Sequence, residues 1–120
     1  MIEENLIKAD TALLAKQKGF DEYCMWAYDK DGKLINPFTR LALCLAPTQA
    51  LLQRWFREKH KLEIDVSSDV LGFYVELFDR NTFKRIKVIP NNIFETYEEA
   101  LEVGLKFALE NFNKIENLKK

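Results

Sequence analysis

The chain is poor in the residues that carry chemistry in small proteins. It holds one histidine, His60, and two cysteines, Cys24 and Cys44, among 120 residues. A structural zinc site needs four closely grouped ligands, and these three scattered residues offer no such set. In a chain with no export signal the two thiols read as reduced core residues rather than a disulfide. The ten residues MIEENLIKAD at the start are acidic, without the basic segment and apolar run of a secretory signal, which predicts a cytoplasmic protein. No stretch approaches the ~20 apolar residues of a membrane span, so no membrane partner is expected. Charge of either sign is not in excess. The formal net charge is −1, and nothing global draws the chain onto nucleic acid or an anionic surface. Nucleotide-loop, dinucleotide-fingerprint, nucleophile-elbow and paired-carboxylate patterns are missing, and the lone Gly104 cannot cradle a phosphate. No cofactor is expected.

What is present is a globular mix, 48% hydrophobic and 31% charged, in one domain long enough to bury a core without staples. The spacing predicts a helix over residues 4–18, with Leu6, Ala9 and Leu13 on one face beside Ile7 and Leu14. Gly19 follows as its C-cap, and Phe20 can fold back on Leu14 or Ala15. Residues 23–35 read as a hairpin turning at Asp31-Gly32, and 38–45 are either a short strand or a buried loop. Pro47 suits the first turn of a helix over 47–60 whose apolar face is Leu51, Leu52, Trp55 and Phe56. Residues 62–67, 72–78 and 83–89 then read as strands, with short links that favour an antiparallel meander. Strict alternation places Ile86 and Val88 inward and Glu63, Asp65, Glu76, Arg85 and Lys87 on the open face. Asn91 and Asn92 break the pattern after Pro90. Thr96 with Glu99 forms a capping box that opens the last helix, striped by Leu101, Leu105, Ala108 and Phe112. Gly104 within it implies close approach to another element. The tail from 114 to 120 is expected to fray.

The fold class is therefore α+β. An α-β-β-β-α core over 46–113 has its antiparallel sheet covered on one face by helices, and residues 1–45 add a helix and hairpin. That order resembles the double-stranded RNA-binding domain in topology over about residues 47–113. The resemblance implies phosphate contacts from a basic cluster opening the last helix. Here that stretch reads TYEEALE, and Glu98, Glu99 and Glu102 stand where cations are needed. The strings APTQALLQRWFREKH, TYEEALEVGLKFALENF and KGFDEYC are similar to small uncharacterised proteins of gut-bacterial phages and prophages. That likeness implies a bacterial or phage cytoplasm and supplies no site.

Asp29-Lys30-Asp31-Gly32 has the composition of a calcium loop but not its spacing. The glycine should be sixth and the last carboxylate twelfth, whereas Gly32 is fourth and Arg40 twelfth. His60 ends a basic helix among Arg57, Lys59 and Lys61, as cations do at a helix C-terminus, with no acid or nucleophile beside it in sequence. Arg54, Arg57, Lys59, His60 and Lys61, to which Lys84, Arg85 and Lys87 could add, form the basic candidate surface, against which stands a simple solvated face. Tyr23, Trp26 and Tyr28 are either a binding platform or sheet packing. These features predict a non-enzymatic protein that binds another protein or itself. The alternative is a nucleic-acid accessory protein using helix 47–60.

Overall fold

Local caps decide where the helices begin and end. The computed structural model describes residues 5–118, with residues 90–93 by backbone alone. Helix α1 spans Ala9–Gln17. It starts later than the periodicity suggests, because the preceding residues are committed to strand-like pairing. Ile7 N donates to Pro47 O (3.0 Å), and Gln49 N donates to Asn5 O (2.8 Å). Leu6 and Ile7 therefore lie outside the helix, and its buried face is Thr11, Ala12 and Ala15, with Leu13 exposed. Residue 4 of the expected helix is outside the described residues. At the other end Gly19 adopts φ +94°, Gly19 N donates to Lys16 O and Phe20 N donates to Ala15 O. This is the glycine-terminated cap the sequence implies. The Phe20 ring turns onto Trp55, with centroids 5.6 Å apart.

Residues 23–45 build a small antiparallel sheet from β1 (Ala27–Tyr28), β2 (Leu34–Ile35) and β3 (Cys44–Leu45), in the spatial order β2-β1-β3. Asp29 Oδ1 accepts from the Asp31 and Lys33 amides, and Gly32 closes the turn at φ +79°. The Asp29 carboxylate thus serves the hairpin turn. Tyr28 is buried and donates its hydroxyl to Ile7 O at 2.5 Å, tying the sheet to the N-terminal segment. Helix α2, Gln49–His60, is capped by Thr48, whose side chain accepts from Leu51 N at 3.0 Å. Pro47 lies before the cap and not within the first turn, since its carbonyl and its neighbours are paired with residues 5–7.

The larger sheet runs β4-β5-β6, from Leu62–Asp69, Gly72–Asp79 and Arg85–Phe94, antiparallel throughout. Phe83 and Lys84 belong to the turn before β6, with Phe83 at φ +58°. β6 continues through Pro90, which an edge strand tolerates because one side of it has no ladder to complete. Its register slips. Phe78 pairs with Arg85 but Leu77 pairs with Lys87, so Arg85 and Ile86 together oppose one residue of β5. That bulge inverts the alternation beyond it. Lys87 shares the face of Leu77, and its Nζ lies 5.9 Å from the Phe107 ring centre, while Val88 joins Glu76 on the open face. The inward Val88 and outward Lys87 of the simple alternation are both reversed.

Helix α3, Tyr97–Glu110, covers the Ile64–Val75–Leu77 face beside α2. Thr96 caps it by accepting from Glu99 N at 3.1 Å. A Cβ on Gly104 would lie 2.5 Å from Val75 Cγ2 and 3.1 Å from Ile64 Cγ2, the close approach that a mid-helix glycine implies. The chain then turns at Asn111 into α4, Phe112–Leu118, with Ile115 buried. Residues 114–118 are thus helical where fraying is expected, because Ile115 gives them an apolar anchor. Residues 119 and 120 are outside the described residues. α1 docks on α3 through an Asp10–Lys106 ion pair (2.6 Å) and does not extend the larger sheet.

Candidate interaction surface

The basic residues singled out in the sequence do not form one patch. Arg85 lies on the open sheet face, with Nε 3.2 Å from Glu76 Oε2. Lys87 is turned toward Phe107 by the bulge. Lys61 ends α2 as an exposed left-handed residue at φ 53°. His60 sits in an aromatic cluster, its ring centre 4.5 Å from Trp55 and 4.7 Å from Phe112, with Nδ1 4.0 Å from Glu116. It helps join α2 to α4. Lys84 and Arg85 share a small hollow with Asp79, and Arg54 and Arg57 share a larger concave surface without a carboxylate in its described lining.

That surface is a cleft of about 610 Å³ between α2 and the segment leading into β1. Ala50, Arg54 and Arg57 follow one another at helical spacing and form one wall. Tyr23, Met25 and Trp26 form the other, and the buried Cys24, Ala46 and Pro47 lie beneath. Arg54 stands 3.6 Å from Glu58 and Arg57 3.9 Å from Glu63, both longer than a hydrogen bond. Of the aromatic triplet, Tyr28 is core, whereas Tyr23 and Trp26 are exposed and line the same cleft as the arginines. The sequence holds each half of this cleft separately. Their meeting depends on the pairing of residues 5–7 and 26–28 with 43–49, which carries no local signal.

Residues 23–43 also expose several large apolar side chains. Phe38 is 81% exposed, Met25 76%, Leu41 74% and Tyr23 72%. Tyr23 and Phe38 face each other with ring centres 6.5 Å apart. Patches of this kind are uncommon on monomers unless they serve binding.

The open face of the larger sheet is acidic. Asp65 pairs directly with Glu76 across the ladder, next to Glu63. Burial raises the Asp65 carboxyl above the usual carboxylate range, the Glu63 and Glu76 carboxylates push it further, and Arg57 partly offsets them. Glu63 binds Arg80, and Ser67 Oγ lies 3.4 Å from Glu76 Oε1. Among the described residues, no three His, Cys, Asp or Glu side chains group as metal ligands, and no helix is long and apolar enough to cross a membrane. Burial pushes the Cys24 thiol up to about 11 and raises that of Cys44 as well, so both are neutral, weak nucleophiles.

Glu102 differs from its sequence reading. It is buried, not an outward charge at the start of α3, and accepts from Lys8 N and from Gln49 Nε2, each at 3.2 Å. It locks the segment before α1 and the start of α2 onto α3. Glu98 and Glu99 remain exposed there.

No protein-family model matches this chain, no curated protein matches it in sequence, and no solved structure matches it in fold.

Proposed function

We propose that this chain is a small non-enzymatic interaction protein that binds another protein through the surface built by residues 23–43 and the adjoining cleft. The observation that carries this reading is the exposure of Tyr23, Met25 and Trp26 along one wall of the cleft, with the exposed Phe38 ring 6.5 Å from that of Tyr23. Exposing several large apolar side chains together forgoes burial worth about 1.5–3 kcal/mol each, an arrangement expected where a partner covers them. Two neutral buried thiols and a histidine held among aromatic rings support the non-enzymatic part. The likeness to phage and prophage proteins supports a place in a bacterial or phage cytoplasm. Nucleic acid is the weaker reading, because Arg54, Arg57, Arg80 and Arg85 each stand within 4.0 Å of a carboxylate, and Arg80 and Arg85 lie outside the cleft that Arg54 and Arg57 share.

The test is position-dependent photo-crosslinking in cells of the source organism. A photoreactive residue at Met25 or Phe38 is expected to give one discrete protein adduct, absent when the same residue replaces Val70 at the far β4–β5 turn. An adduct with a second copy of the chain would reassign the surface to self-association. Equal labelling from all three positions, or none, would overturn the reading.

A further inference from the structure

The cleft beside α2 has a chemistry more specific than that of the patch around it. Its described lining includes two guanidiniums and no carboxylate, in a chain whose charges otherwise nearly cancel. Arg54 and Arg57 are one turn apart on α2 and both line the cleft, while their ion pairs with Glu58 (3.6 Å) and Glu63 (3.9 Å) are longer than hydrogen bonds and leave donors of each guanidinium for a second carboxylate. Opposite them stands Trp26, and beneath lie Ala46 and Pro47. We infer that this cleft receives a short acidic segment of a partner protein, with one aliphatic or aromatic side chain seated against Met25 and Trp26 and neighbouring carboxylates held by Arg54 and Arg57.

The inference rests on the interaction reading above and adds the occupant. Charge complementarity selects acidic over basic sequences, and the exposed apolar wall of Met25 and Trp26 suits an anchor side chain. A volume of about 610 Å³ suits a few residues of an extended segment, not a folded surface. A nucleic-acid strand fits less well. Its affinity grows with the number of phosphates neutralised along a basic track, and this cleft offers two cations.

The probe is a random peptide library displayed on phage and panned against the immobilised full-length chain. Enriched peptides, made with a fluorescent label, are expected to be net acidic with an aliphatic or aromatic residue. Their affinity should fall about tenfold or more, the effect of ~1.4 kcal/mol, in Arg54→Glu with Arg57→Glu. Ala50→Glu provides a second variant with little risk to folding. It places a carboxylate at an exposed position in the first turn of α2, which the helix dipole favours, and should weaken binding at an unchanged or raised melting temperature. Basic or uncharged winners, indifference to all three substitutions, no enrichment, or displacement by a single-stranded oligonucleotide would each overturn the inference. Peptides that ignore these variants but are lost in Phe38→Glu would overturn the cleft assignment while leaving the interaction reading standing.

Discussion

At Gly104 two opposing effects can be weighed directly. Alanine there would gain ~1 kcal/mol of helix propensity. Its Cβ, however, would sit 2.5 Å from Val75 Cγ2 in a sheet that is itself fully packed, and overpacking costs about 1–3 kcal/mol. Gly104→Ala is therefore expected to lower stability in urea denaturation, and less so in a Val75→Ala background. A gain in stability would show that α3 does not lie this close to β5. Asp65 presents a charge conflict instead. Its folded-state carboxyl is raised by burial and by Glu63 and Glu76. Ionised Asp65 thus opposes folding above its folded pKa, and the opposition fades as pH falls toward the unfolded value of about 3.9. Asp65→Asn should raise the melting temperature at neutral pH and change it little near pH 4. Asp10 has the reverse sign. The hydrogen bond from Lys106 lowers its carboxyl, so its contribution is present at neutral pH and lost as acid protonates it.

Helix α2 is the element on which the most surfaces converge. One face carries Leu52, Trp55 and Phe56 into the core, another presents Arg54 and Arg57 to the cleft, and its last residue, His60, meets α4. Gln53 Nε2 also donates to Ile64 O at 2.5 Å, satisfying a carbonyl on the outer edge of β4. Such edges otherwise invite strand pairing with another chain. Trp55 packs among Phe20, Phe56 and His60, so it joins the end of α1 to α2 as well as filling space. Trp55→Ala should cost about 3–5 kcal/mol, a large part of the stability of a domain this size. An unchanged midpoint in chemical denaturation would contradict that placement. The last turn of the fold works similarly. Asn111 Nδ2 donates to Phe107 O, ending α3, and Ile115 then pins α4.

For the whole molecule, the distribution of charge matters more than its sum. The order α2-β4-β5-β6-α3 would place a duplex-binding helix start at Thr96, where Glu98 and Glu99 are exposed. Full carboxylate charges outweigh the roughly half unit of positive charge that the helix dipole offers a phosphate. We expect no measurable binding of duplex RNA near 150 mM salt, where surface fields reach only about 8 Å. Titration of a labelled duplex by fluorescence anisotropy checks this. Micromolar binding that vanishes in Arg54→Glu with Arg57→Glu would show instead that the basic helix serves nucleic acid.

The sequence by itself determined what depends on neighbours a few positions apart. The α+β class, the three strands in meander order, the glycine cap at Gly19, the Thr96 cap and the need for a small residue at Gly104 all follow from local spacing and backbone sterics, and the structure contains each of them. The tertiary structure decided whatever depends on pairing between distant segments. Residues 5–7 pair with 47–49, which shortens α1 and displaces Pro47 from the first turn of α2. The bulge at Arg85 and Ile86 reverses Lys87 and Val88, since one extra residue shifts every side chain beyond it to the other face. Glu102 reads as a surface charge until Gln49 and the Lys8 amide enclose it. The cleft is the clearest case. Trp26 and Arg54 are 28 positions apart, and only the folding of the small sheet against α2 makes them neighbours, because contact between remote residues is set by packing and not by any local preference of the chain.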